Sequence, residues 1–328
     1  MIVIFSTHED YSTQKVIEWL HFFNKLPIVI NELNPIESLF FEMSENRRSL
    51  NFTLKNGKVI KDSDIDIAWY RRGLSFFNFN YQDIKQRKHL RYFFSHLKAE
   101  YTALTEMFFD HLQAKLIGDP NRSLPNKLLV LKAAKQFGLK IPATRIITTN
   151  TNAFKSAHVN KNIADIVQTE YQGSTLYNRT TIQSKITISK FFPSLLQANI
   201  EKYCELRIFH FMGSFFTMAT LPEAGKKLKT DNRDITNREY LNRVSFTLPP
   251  DIRTKLIKLL KNLGYTTCSI DMIVDKKFNY YFLEINPVGQ FGNLSHSCGF
   301  NIEKAIAQKL ISYEIKKRKV NRRNHFAH

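Results

Sequence analysis

Residues 268–292 read CSIDMIVDKKFNYYFLEINPVGQFG. Two apolar, β-prone runs flank the polar turn Asp275-Lys276-Lys277-Phe278, the pattern of an antiparallel hairpin. Acidic residues stand where the pattern wants hydrophobes: Asp271 interrupts Ile270, Met272, Ile273 and Val274, and Glu284 interrupts Phe282, Leu283 and Ile285. Closing the turn with Asp275 opposite Phe278 sets Asp271 opposite Phe282, with Glu284 as its diagonal neighbour. Because side chains alternate faces along a strand, Asp271, Glu284 and Asn286 then share one face. Diagonal neighbours lie roughly 7–8 Å apart at the backbone, near enough for both carboxylates to reach one cation cluster. Two buried, unpartnered carboxylates are costly, and a hard divalent cation relieves both burial and repulsion. Oxygen ligands with an amide carbonyl suit magnesium, which bridges a few carboxylates to nucleotide phosphates. The same spacing also fits an ordinary hairpin with one carboxylate in solvent and the other paired to Lys or Arg. A slip of one residue in register would undo the shared face.

The rest of the chain sets bounds on that reading. At 328 residues it exceeds one typical core, so two or three domains are expected. No run of about 18 apolar residues occurs, which argues against a membrane span. The start, MIVIFSTHED, runs from an apolar strand straight into polar residues, without the basic segment or cleavage site of a signal peptide. Cys204, Cys268 and Cys298 show no CxxC spacing, so neither a disulfide framework nor a zinc site is suggested and a reducing cytoplasm fits best. The net charge of +19 attracts polyanions: nucleic acid, nucleotides or an acidic peptide. The tail Lys316-Lys317-Arg318-Lys319 with Arg322-Arg323 reads as a solvated, disordered end, or as a localisation or nucleic-acid element.

In chain order, residues 2–6 read as a buried strand and residues 27–31 as a second. Between them Ser12 is placed to cap a helix with Val16, Trp19, Leu20 and Phe23 on one face. This opening suggests an open α/β domain, although no G-x-G-x-x-G follows the first strand. Asn56-Gly57 marks a hairpin over residues 51–60. Ile65–Tyr70 reads as a buried strand that delivers Arg71-Arg72-Gly73 at its C-terminal end, where open α/β sheets bind ligands. Adjacent arginines suit a bidentate grip on a carboxylate or phosphate, and a pair of surface arginines fits equally. A helix from about Tyr81 to Leu116 closes this domain, and Gly118-Asp119-Pro120 marks its boundary.

Asn126-Lys127-Leu128-Leu129 opens a helix ended by Gly138, and Ile141-Pro142-Ala143-Thr144 leads into a strand. A Thr-rich strand–turn–strand stretch spans 163–188 around Gly173, followed by FFPSLLQANIEKY at 191–203. Glu205-Leu206-Arg207-Ile208-Phe209 alternates, with its charges on one face. The stretch 213–248 reads as a long loop of mixed charge, and loops of such length inside a compact domain are mostly functional. A helix over 250–263 ends at Gly264 and leads into the acidic hairpin, and a last helix runs near 301–317.

The run Ser269–Ser295, SIDMIVDKKFNYYFLEINPVGQFGNLS, resembles the last metal-binding segment of the ATP-grasp ligases. More narrowly it is similar to the graspetide (microviridin-type) ω-ester and ω-amide peptide ligases, a resemblance covering about residues 1–312. It implies an ATP-grasp fold: an N-terminal open α/β domain over 1–118, a central lid domain over 119–197, a C-terminal α+β domain over 198–315 and a basic tail over 316–328. It implies that Asp271, Glu284 and Asn286 hold Mg2+ against the phosphates of ATP. Lys127 matches the first nucleotide-facing lysine of the family, and Lys161 is the best match for the second. Gln197, Ala198, Asn199 and Ile200 match the hinge that meets the adenine edge. Glu205 and Arg207 match an acidic-x-Arg motif whose arginine steadies phosphates or a substrate carboxylate. Thr230-Asp231-Asn232-Arg233 resembles a Thr/Asp/Arg signature of the microviridin-type ligases, giving Asp231 and Arg233 catalytic roles. Arg243, before Leu248-Pro249, and the Arg71-Arg72 pair are implied to bind substrate. The chain departs from the pattern at Asn232, where an aromatic residue is usual, and at Thr220-Leu221, where Ser-Gln is usual.

The implied reaction is ATP-dependent activation of an Asp or Glu side chain on a ribosomally made precursor peptide, with a leader and an acidic core. Attack by a Ser or Thr hydroxyl or a Lys amine of the same peptide then closes a macrocyclic ester or amide. A cytoplasmic homodimer that avoids membranes and nucleic acid is implied with it. Two alternatives stay open: an ATP-grasp ligase that adds free amino acids to a peptide end, and a basic nucleic-acid-binding protein.

Overall fold

The computed structural model describes residues 1–45, 47–73, 76–78, 90–149, 158–161, 169–171, 174–176, 181–183, 190–223 and 241–325. The chain divides into two compact units, Met1–Ser123 with Asn301–His328, and Leu124–Phe300.

The first unit is built on a parallel sheet of β1 (Ile2–Phe5), β2 (Ile28–Ile30), β6 (Ile67–Tyr70) and β7 (Leu116–Ile117), in the order β2-β1-β6-β7. Helix α1 (Tyr11–Phe22) connects β1 to β2, so the chain leaves β1 on one side and returns as β6 on the other. β3 (Ile36–Ser44), β4 (Arg47–Leu54) and β5 (Val59–Lys61) form a separate antiparallel sheet, with Gly57 (φ 82°) in the turn expected at Asn56-Gly57. Helix α2 (Arg91–Leu112) lies within the range expected to be helical, of which 81–89 falls outside the described residues. It buries Phe108 and Phe109, which meet Phe5 edge to face at centroid distances of 5.9 and 5.0 Å, an arrangement that aromatic quadrupoles favour.

Three expectations for this unit need correction. The cap of α1 is Asp10 rather than Ser12, and its carboxylate accepts from Thr13 Oγ1 at 2.7 Å instead of from the helix backbone. The C-terminal helix Ile302–His325 belongs to this unit and not to a C-terminal domain ending at 315. Its buried stripe of Ile302, Ile306 and Leu310 packs on α1, and Glu314, 5% exposed, pairs with Lys25 at 2.7 Å. The basic segment over 316–325 continues that helix instead of forming a disordered end.

In the second unit α3 (Lys127–Gln136) starts where expected, with Asn126 Oδ1 accepting from Leu128 N and Leu129 N at 3.1 and 3.2 Å. β8 (Thr144–Thr149), β9 (His158–Lys161), β12 (Thr181–Gln183) and β13 (Lys190–Ala198) form an antiparallel sheet in the order β12-β9-β13-β8. β10 (Thr169–Tyr171) pairs with β11 (Ser174–Leu176). The larger sheet joins β14 (Lys202–Phe211), β15 (Ser214–Pro222), β16 (Leu241–Ser245), β17 (Thr267–Asp275) and β18 (Tyr280–Asn286), in the order β16-β15-β14-β17-β18. The stretch read as one loop over 213–248 is therefore β15 and β16 at its ends, and 224–240 lies outside the described residues.

The alternation of this sheet separates core from site. Leu206, Ile208, Ile270, Met272, Val274 and Ile285 pack with Leu256, Leu259 and Leu260 of α4 (Pro250–Leu263) and with Val130, Leu131 and Ala134 of α3. Gly264 closes α4 at φ 72°, a left-handed cap that glycine adopts without strain. Glu205, Arg207 and Asp271 alternate with those core residues and so face the opposite side. Helix α5 (Gly292–Cys298) follows β18.

Candidate active site

The hairpin of β17 and β18 reaches its shared face by a different register from the one expected. Phe278 sits at φ 58°, and Asp275 N donates to Asn279 O at 3.0 Å, so the turn holds one more residue. The Asn279 side chain donates to Asp275 Oδ2 at 2.9 Å, and this bond first, then those from Asn279 N and Lys277 N to Oδ1 at 2.8 and 2.9 Å, hold the carboxyl below the usual carboxylate range. From there Val274 pairs with Tyr280 and Met272 with Phe282. Continued unchanged, that register would set Asp271 opposite Leu283 and turn Glu284 to the core. A bulge between Asp271 and Met272 leaves Leu283 unpaired, and Asp271 pairs directly with Glu284 and Ser269 with Asn286.

Each carboxylate meets a cation. Arg207, opposite Asp271 on β14, donates from Nη1 to both Asp271 oxygens at 2.7 and 2.6 Å. Lys127 Nζ lies 3.3 Å from Glu284 Oε2. A positive charge in the first turn of a helix opposes the helix dipole, and Glu284 offsets that cost for Lys127 at the start of α3. Like charges directly opposed across strands destabilise a sheet, so the two cations answer a repulsion built into the hairpin.

Beside this quartet lies a cavity of about 500 Å3 within the second unit. Asp271, Glu284 and Asn286 line it from the hairpin, and Glu205, Arg207 and Arg243 from the neighbouring strands. Gln197, Ala198, Asn199 and Ile200 line it from the end of β13. Gln197 is buried and its Nε2 donates to Thr144 Oγ1 at 3.1 Å, while Ala198 N donates to Ala143 O at 2.9 Å. Asn199 and Ile200 stand outside any strand, so their backbone N–H groups are not committed to a sheet ladder.

No protein-family model matches the sequence, and no curated protein matches it. Solved structures do match. A RiPP-associated ATP-grasp ligase of Chryseobacterium gregarium, in complex with ADP and a leader and core peptide, superposes with a TM-score of 0.75 at 24% identity, covering 95% of this chain and 96% of that one. The macrocyclase MdnC of Microcystis aeruginosa MRC, bound with precursor peptide MdnA, gives 0.70 at 22% identity, covering 95% and 99%. The ATP-grasp ligase PsnB, complexed with a phosphomimetic variant of minimal precursor, Mg and ADP, gives 0.65 at 14% identity, covering 95% and 98%. The chain has the ATP-grasp fold.

Within this ATP-grasp chain the remaining expected site residues are placed as follows. Lys161 ends β9, opposite Leu195 of β13, and its side chain is outside the described set. Asp231 and Arg233 lie outside the described residues. Arg71 and Arg72 belong to the first unit, where their Nε atoms lie 3.2 and 3.7 Å from Asp10 Oδ2. Burial, then Arg72, lowers the Arg71 guanidinium to about 10. Burial likewise pushes the neighbouring Tyr70 hydroxyl up to about 12.

Residues not singled out in the sequence also stand at the site. Lys202 pairs with Glu205, and both line the cavity. The spacing argued against it: three residues along a regular strand set Lys202 on the face opposite Glu205, and an irregularity between Lys202 and Cys204 brings the pair together. Gln290 and Asn293 line the cavity beyond the hairpin. Ser269, fully buried, has no hydrogen-bond partner for Oγ among the described residues. Gly289 packs on it so closely that a Cβ there would lie 2.4 Å from Ser269 Oγ and 3.1 Å from Arg207 Nη2.

The donor set fits a hard cation. Asp271 and Glu284 present opposed carboxylates with the Asn286 amide on the same hairpin face, all bordering the cavity. Among the described residues no group of three or more His, Cys, Asp or Glu is placed to hold a metal ion by itself, and magnesium needs none, being held by one or two carboxylates plus substrate phosphates.

Proposed function

We infer that the chain is an ATP- and Mg2+-dependent ligase that activates Asp or Glu side chains of a ribosomally made precursor peptide. Macrocyclic esters or amides with Ser, Thr or Lys side chains of the same peptide are the products. One observation carries the reading: the opposed pair Asp271 and Glu284, with Arg207 and Lys127 on it, borders the same cavity as the hinge Gln197–Ile200. The ATP-grasp neighbours hold ADP, magnesium and precursor peptides, which supports nucleotide, metal and peptide for this site.

Asp271, Glu284 and Asn286 would hold magnesium, which supplies charge neutralisation where a carboxylate meets the terminal phosphate. Two anions must approach in that step, so cations already in place lower its barrier without reorganisation at the moment of reaction. Arg207, Lys127 and Arg233 are assigned as those cations, with Lys161 beside them at the nucleotide and Asp231 assigned to the chemical step. Glu205, paired with Lys202, is assigned to the nucleotide. Arg71 and Arg72 are assigned to the peptide, together with Arg243. The net charge of +19 suits an acidic core with its leader.

A cytoplasmic homodimer completes the reading. A reducing compartment suits Cys204 and Cys268, which are buried and unpaired, with burial raising the Cys204 thiol to about 11. Among the described residues no helix is long and apolar enough to cross a membrane.

The test is the intact mass of a candidate precursor peptide after incubation with enzyme, ATP and magnesium. Loss of one water per crosslink supports the reading, and reversal in mild base distinguishes esters from amides. A gain of whole amino-acid residues points instead to a ligase that extends peptide ends. Steeply salt-dependent binding of DNA or RNA with no turnover of ATP points to a nucleic-acid-binding protein.

A further inference from the structure

We propose that Arg207 and Lys127 are exchangeable place-holders, which occupy the metal carboxylates until nucleotide phosphates draw them away and thereby make metal and nucleotide binding one coupled event. This exchange rests on the nucleotide reading of the cavity and goes beyond it by coupling the two ligands through named side chains.

Asp271 and Glu284 face each other across the hairpin, and Arg207 and Lys127 are the cations that hold them, at 2.6 and 3.3 Å. The quartet is neutral as it stands. Arg207 Nη1 bridges both oxygens of Asp271, so a metal ion at that carboxylate competes with the arginine for the same two oxygens and sets its charge against the guanidinium. A divalent cation arriving alone therefore adds two positive charges to a neutral group and strands a guanidinium and an ammonium against it. Lys127 and Arg207 are 16% and 25% exposed at the side chain, too enclosed for bulk water to screen them fully. The cavity offers little relief, because Arg243 and Lys202 line it as well and Lys202 is committed to Glu205.

A polyphosphate entering with the metal changes the balance. Its oxygens accept from the displaced Arg207 and Lys127, and the metal inherits Asp271 and Glu284. Gly289 leaves the space in which Arg207 moves, since a Cβ at that position would lie 3.1 Å from Arg207 Nη2. Coupling of this kind is reciprocal: nucleotide tightens metal by the factor that metal tightens nucleotide.

The test titrates Mn2+ as the spin probe, with and without ADP, into the full-length protein and the variants Lys127→Met and Arg207→Ala, with folding checked by circular dichroism. In the wild type ADP is expected to tighten Mn2+ by on the order of tenfold or more. In either variant Mn2+ alone is expected to bind tighter than in the wild type, and the dependence on ADP to shrink. The exchange is overturned if both folded variants bind Mn2+ alone no better than the wild type, or if ADP binds the wild type yet leaves its Mn2+ affinity unchanged. Absence of ADP binding at saturating Mn2+ instead refutes the nucleotide site itself, and the exchange with it.

Discussion

Asp271 stands directly opposite Glu284 because the hairpin bulges at Leu283. The unpaired residue shifts every partner beyond it by one, which returns Glu284 to the face that carries Asp271. Without it the second carboxylate would point into the core that Phe282 and Ile285 of the same strand enter, where an unpaired charge is not tolerated.

The carboxylate at 284 is expected to serve the metal and not the peptide. Glu284→Gln keeps size and hydrogen-bonding capacity but removes the charge that balances Lys127. Turnover of a precursor peptide is expected to fall by at least ~100-fold, while peptide affinity measured by fluorescence anisotropy stays within about threefold. Full activity in this variant would sink the metal assignment.

The face of the hairpin was legible and its register was not. Alternation of apolar residues with Asp271 and Glu284 identifies the strands, because an acidic residue inside a β-prone run leaves a plain signal. A bulge leaves none when the extra residue is Leu283, as apolar as its neighbours. Nor does the alternation show that Phe278 adopts φ 58° and lengthens the turn. The shared face emerged from the wrong pairing because two shifts of one residue restore the parity. The C-terminal helix shows the same limit. Ile302, Ile306 and Leu310 announce a buried stripe, but periodicity does not say what the stripe packs on, and the partner is α1, far away in sequence. Arg71 and Arg72 were legible as a pair at a strand end, while Asp10, which holds them, stands at the cap of α1, and a cap position does not say what its carboxylate meets.

Gly289 is expected to be replaceable only if Ser269 gives way. A Cβ at 289 would lie 2.4 Å from both Cβ and Oγ of Ser269, and the backbone around a paired strand cannot retreat far. Gly289→Ala is expected to cost about 1–3 kcal/mol in urea unfolding, as overpacking does. The double variant with Ser269→Gly should recover most of that loss, since the obstructing atoms are gone. A single variant as stable as the wild type would show that the loop after Asn286 moves freely.

Asn126 is expected to hold Lys127 in place through the helix start. Its side chain accepts from Leu128 N and Leu129 N, satisfying two donors that the first turn leaves open. Asn126→Ala should lower stability by about 1 kcal/mol and Asn126→Asp should not, because aspartate caps as well. Frayed backbone at Lys127 weakens its hold on Glu284, so the Ala variant is also expected to raise KM for ATP. An unchanged KM with the expected loss of stability would separate the cap from the site.

His210 is expected to give the protein an acid-sensitive step in stability. Its ring is 6% exposed, and burial, followed by the nearby Arg253, depresses it from 6.5 to about 4. Its Nε2 accepts from Gly213 N at 3.0 Å in the turn between β14 and β15, a bond that requires the neutral ring. The unfolded chain binds the proton near pH 6.5 and the folded chain only near 4, so protonation favours unfolding throughout that window. The stability tied to the neutral ring is intact above pH 6.5, falls as the pH drops, and is fully lost below about 4. The shift corresponds to roughly 3 kcal/mol at 1.36 kcal/mol per unit. Urea midpoints of the wild type and of His210→Gln, compared from pH 7 to 4, isolate it, because the carboxylates titrate in both. The wild type should lose stability relative to the variant as the pH falls. A difference that stays constant across the window would mean that the ring takes up its proton in the folded protein as readily as in the unfolded chain.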